Sequence, residues 1–150
     1  MKATGWIITV LAVVIGIYFV IGNIRADPLD YNLKAHTNLA LHDHVDLEIE
    51  FLGEPFPVPP NTGISAKGMR VTHTHDGSGK LHVEGPYSHQ FYLRDFFTIW
   101  GKQFNSTCLF NECIDENYTL EFFVNDQPNK LYEALPLRDD DKIKIVYRKK

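Results

Sequence analysis

Cysteine is scarce in this 150-residue chain: Cys108 and Cys113 are the only two. One disulfide is the most they can make, and the four residues between them suit a small closed loop in an oxidising compartment. Two buried thiols, or two metal ligands in a reducing compartment, are the other readings. Positive charge is scarce as well. Setting aside Lys2 and Arg25, the chain carries 13 basic against 19 acidic residues, a net −6. That balance speaks against a nucleic-acid partner, whose phosphates are neutralised by Lys and Arg. Internal repeats are missing, and so are the short signatures of common catalysis. There is no H-E-x-x-H. Gly77-Ser78-Gly79-Lys80 is no phosphate loop, because Leu81 stands where Ser or Thr is required. It is no nucleophile elbow either, since that needs Gly-x-Ser-x-Gly. Nothing in the sequence asks for catalysis, and the expectation is a non-enzyme.

Charge is absent altogether from Ala3 to Ile24, a run of 22 residues. As a helix at about 1.5 Å per residue this run would reach about 33 Å, enough to cross a bilayer's hydrocarbon core. The apolar part of a secretory signal is shorter, about 7–15 residues, and Ile24-Arg25-Ala26 makes a poor cleavage site. Residues 1–25 are therefore expected to form an uncleaved transmembrane anchor in contact with membrane lipid. Lys2 and Arg25 flank the run and leave the positive-inside signal almost balanced. The cysteine pair, with the glycosylation sequons Asn105-Ser106-Thr107 and Asn117-Tyr118-Thr119, tips the expectation. It is a single-pass protein of the cell membrane, its C-terminal domain on the extracytoplasmic side.

Residues 26–41 open with Asp27-Pro28 and lack a clear period, which reads as a stalk carrying a solvated His36. Residues 42–150 read as one β-rich domain. Val45, Leu47, Ile49 and Phe51 alternate with Asp46, Glu48 and Glu50, the pattern of a strand with one apolar and one acidic face. Tyr118 to Val124 and Lys142 to Tyr147 repeat that alternation. Arg94 to Trp100 is the one good helix candidate, with Gly101 as its stop. Arg138-Asp139-Asp140-Asp141 reads as a solvated turn, with calcium as the rival reading. The expected fold is mainly β (α+β): a transmembrane helix, then a small antiparallel β domain, either a β-grasp-like roll or a sandwich, with one short helix.

Histidine is the residue whose placement stands out. Five of the seven fall into two groups: His42 and His44 just before the first strand, and His73, His75 and His82 around Asp76-Gly77-Ser78-Gly79. That tetrapeptide has hairpin-turn chemistry, since its glycines can take positive φ. Alternation along a strand puts His73 and His75 on one face. A loop of two or four residues sets His82 directly across from His73, whereas an odd loop turns it to the other face. Three converging imidazole nitrogens suit a divalent transition metal, Cu(II) or Zn(II), with zinc–nitrogen bonds of about 2.0–2.1 Å. His73, His75 and His82 are the expected core ligands. His42 and His44 can join if the first strand packs beside the hairpin, and Asp76 can orient an imidazole. The plainer alternative is that these histidines decorate a polar face or hydrogen-bond to carboxylates such as Glu84.

The run from His73 to Glu84, followed by Phe91-Tyr92-Leu93-Arg94-Asp95-Phe96-Phe97-Thr98-Ile99-Trp100-Gly101, resembles a family of uncharacterised small secreted or membrane-anchored prokaryotic proteins. Shared features are the upstream His42-Asp43-His44, the loop Pro59-Pro60-Asn61-Thr62-Gly63-Ile64, and Val124-Asn125-Asp126-Gln127-Pro128 with Pro136-Leu137. The resemblance covers nearly the whole domain and implies a shared fold and a shared histidine site, with no established activity. Members often carry a cysteine just before the hairpin strand, where this chain has Lys67-Gly68-Met69-Arg70 and so no thiolate there. Two functions follow from the residues. One is a membrane-anchored metal-binding domain for sensing, storage or delivery. The other is a structural or accessory subunit of a larger membrane complex or surface filament.

Overall fold

The structure, a computed structural model, describes residues 27–35 and 38–150. The strands in chain order are β1 (Leu41–Phe51), β2 (Glu54–Pro55), β3 (Ile64–Ser65), β4 (Gly68–Met69), β5 (Thr72–His73) and β6 (Lys80–Gly85). After the helix α1 (Leu93–Trp100) come β7 (Cys108–Leu109), β8 (Glu112–Cys113), β9 (Tyr118–Val124), β10 (Gln127–Pro128) and β11 (Lys142–Lys149). One seven-stranded sheet runs β10-β9-β11-β1-β6-β5, with β2 added to the end of β1. The other strands form two-stranded ribbons only, so no sandwich is built.

Alternation decides which way the sheet faces. Val45, Leu47 and Ile49 of β1 are buried, as are Leu81 and Val83 of β6, Ile143, Ile145 and Tyr147 of β11, and Leu120 and Phe122 of β9. Into that apolar side α1 presses Leu93, Phe96 and Phe97. Its first turn is closed by Asp95, whose carboxylate accepts the Tyr92 N–H at 2.7 Å, and Gly101 ends it at φ 71°. Residues three and four apart share a helix face, which is why this short segment can bury so many rings. Fully burying a Phe or Leu side chain contributes about 1.5–3 kcal/mol. Packing on the sheet, and not helix propensity, therefore holds eight residues helical.

Several expectations need correction. The sheet is mixed: β1 and β11 run parallel in its middle, paired from Asp46 with Lys142 to Phe51 with Tyr147. Those partners lie almost a hundred residues apart, and alternation carries no information on strand direction. The first strand starts at Leu41, so His42 and His44 lie inside β1. Among the described residues no helix is long and apolar enough to cross a membrane. The transmembrane helix in the expected fold, and the single-pass cell-membrane placement that rested on it, find no support there; residues 1–25 and His36 lie outside the described residues. In the stretch read as a stalk, Leu33 is buried in the core, the Asn32 amide donates to Lys67 O, and Asp30 pairs with Arg70. Cys108 and Cys113 are joined in a disulfide that closes the β7–β8 ribbon.

Candidate metal centre

The side of the sheet away from α1 is polar, and its rows follow from register. Thr72 pairs with Val83 and His73 with His82 across β5 and β6, the even-loop alignment. On the other flank of β6, His44 pairs with His82 and His42 with Glu84. A single row thus reads His44, His82, His73 across three strands, with His42 and Glu84 in the next row. The hairpin tip is drawn tight because Gly79 O accepts the Leu47 N–H at 2.9 Å. A side chain at Gly79, where φ is 85°, would run into Leu47 O, so only glycine lets β6 lie this close to β1.

His73 is completely buried, which is unusual for a histidine on the polar side. The cover is the loop 59–63, laid along the outer edge of β5. Thr74 fastens it: its hydroxyl accepts the Thr62 N–H at 3.1 Å and donates to Pro59 O at 2.8 Å, while its own N–H donates to Thr62 O at 3.0 Å. Gly63, at φ 78°, passes so near that a Cβ there would lie 2.6 Å from Thr72 O and 3.1 Å from the His73 Cβ. The paired threonines at 62 and 74 were a readable signal that went unused, because nothing in a linear pattern says which loop seals which edge.

Burial and hydrogen bonding together set the His73 ring. Nδ1 lies 3.0 Å from Arg70 O, and a carbonyl only accepts, so Nδ1 carries the proton and Nε2 presents a lone pair. That lone pair accepts a hydrogen bond from the Nε2–H of His75, 3.3 Å away. Loss of hydration pushes the His73 pKa down from 6.5 to about 4; the neighbouring His75 and His82 add to the shift, and Glu84 and the Arg70 carbonyl oppose it. His82 is lowered too, first by burial and then by His75 and His44. Neutral imidazole is the ligating form, so both rings are kept ready to coordinate.

Five imidazoles gather here. His75 and His44 stand almost perpendicular to the His82 ring, at 4.5 and 4.6 Å between centroids, and His73 stacks on it at 5.3 Å. Two triads result, His73-His75-His82 and His42-His44-His82, each with its donor atoms within 4.8 Å of one another. Either set can hold a metal ion. Glu84 lies at the base of the cluster, its side chain only 8% exposed, with Oε1 3.3 Å from His42 Nε2 and 3.6 Å from His82 Nδ1.

No family model, no curated protein and no solved structure matches the chain. The resemblance noted from the sequence rests on the residues quoted for it.

Asp76 bonds within the turn. Its carboxylate accepts the Ser78 N–H at 2.9 Å, and the Ser78 side chain first, with that N–H second, holds its pKa below the usual carboxylate value. The orienting groups are Arg70 O on His73 and Glu84 between His42 and His82. Asp139, read only as part of an acidic turn, belongs to the cluster: Oδ1 accepts the His44 N–H at 2.8 Å and lies 3.9 Å from His44 Nδ1. Its neighbour Asp141 accepts from the Asn125 amide at 2.8 Å instead of facing a shared ion.

Proposed function

We propose that this domain binds a transition-metal ion, copper or zinc, through His73, His75 and His82, and that sensing, storage or delivery of that ion is its purpose. The observation that carries the reading is the approach of His73 Nε2 to His75 Nε2, 3.3 Å apart, with the His73 proton fixed on the far nitrogen. In a tetrahedral site with bonds of about 2.0–2.1 Å, adjacent donors stand about 3.3–3.4 Å apart. The side chains already occupy that edge, so little reorganisation precedes coordination. Glu84 supports the same reading. Both of the side chains it faces are imidazoles, and a buried carboxylate gains from a cation in their midst.

The test uses the full chain, equilibrated with zinc(II) or copper(II) and freed of loose ions by gel filtration, followed by elemental analysis. The wild type retains metal, and a His73→Ala/His75→Ala variant retains less. His75→Ala alone, at an exposed position, serves if the double variant fails to fold. Equal metal in wild type and variant would end this reading.

A further inference from the structure

Resting on that reading, we infer that the domain takes two transition-metal ions, one in each triad, with the His82 imidazole shared between them. An ion with bonds of about 2.1 Å spans donors no more than about 4.2 Å apart. The five histidines divide into two groups at 4.8 Å, and His82 is their one common member. One ion therefore cannot gather all five as they stand, whereas two ions leave none unused once the donors of each triad draw in by up to about half an ångström.

The setting of His82 fits a bridge. Register places it between a histidine on each neighbouring strand, His44 on β1 and His73 on β5. His44 and His75 flank its ring at nearly equal distances and nearly equal angles, 79° and 81°. Its Nδ1 is buried facing Glu84 Oε1 at 3.6 Å, too far for a hydrogen bond, a costly state for a polar atom unless something binds between the two. An imidazole carries two nitrogens on opposite edges of the ring. Each donates to a different ion once the single ring proton has passed to solvent.

Charge is provided for as well. Two divalent ions bring four positive charges, against which the bridging ring supplies one negative charge, Glu84 a second, and Asp139 beside His44 a third. The two positions differ in access. The His42 side chain is 53% exposed, whereas His73 is sealed under the loop 59–63. The β1 triad is the position open to arriving ions.

Copper(II) added to the metal-free full chain tests this, with elemental analysis for stoichiometry and electron paramagnetic resonance for coupling. The wild type binds two ions per chain. The resonance that grows with the first equivalent falls by more than half as the second binds, because a shared ring couples the two spins. His42→Ala/His44→Ala binds one ion and keeps its full signal. A wild type holding one ion overturns the inference, as does a second ion surviving in that variant or a signal that simply doubles. Those results leave the His73-His75-His82 site standing; wild-type metal content in His75→Ala is what removes it.

Discussion

The two His-x-His pairs are the same pattern on strands either side of β6, and the fold treats them differently. His73 ends the edge strand β5, with His75 two residues beyond; the open side of that strand is closed by the loop 59–63, and the His73 proton is pinned by a backbone carbonyl. His42 and His44 lie where β1 pairs with β6, ahead of its pairing with β11, the His42 ring exposed and His44 beside Asp139. Within the first pair His73 is dry and oriented while His75 is exposed; within the second His42 is exposed and His44 half-buried. The pattern alone does not make a good ligand pair: burial sets the protonation state, and a fixed partner on the second nitrogen sets the tautomer.

The strongest way to break the comparison is Gly79→Ala. A methyl group meeting Leu47 O at positive φ pushes the hairpin tip off β1 and parts the row His44, His82, His73. Stability should fall by about 3 kcal/mol, read from urea unfolding, and copper should be lost from both triads. A variant as stable as the wild type would show that this close approach does not hold the two pairs in line.

Acid sharpens the difference between them. The native state keeps His73 neutral down to about pH 4, whereas the unfolded chain protonates it near 6.5. The unfolded state therefore binds more protons in that window. Stability contributed by the neutral ring is complete above about pH 6.5 and is lost as pH falls towards 4, by roughly 3 kcal/mol. Urea unfolding of the metal-free chain at pH 7 and pH 4.5 should show the decline, and His73→Asn should flatten it. An equally steep decline in that variant would place the effect elsewhere.

The smallest effect belongs to Asp76→Asn. Asparagine keeps an acceptor for the Ser78 N–H, so stability and metal affinity should both stay as in the wild type. A tenfold loss of affinity would mean that Asp76 reaches the ion after all.

How far these features could be read in advance differs from residue to residue. The apolar rows of β1, β9 and β11 were legible because a period of two is local, and α1 was legible from its aromatic stripe and Gly101. His73 opposite His82 was legible only as one of two registers, because the turn residues are local but leave the loop length even or odd; the structure chose the even one. The parallel pairing of β1 with β11 was not, nor was the loop over His73 or the reach of Asp139 to His44. Each of these joins residues that no short window contains.

By itself the sequence determined that five imidazoles sit on two strand segments and a hairpin arm, and that His73 and His75 share a face. Tertiary structure alone decided that β1 lies beside β6, and so that the two groups meet at one ring. It also decided that His73 is dry and His42 wet. The physical reason is that alternation and turn geometry act within a few residues, whereas desolvation and donor spacing depend on what distant segments bring to the same place.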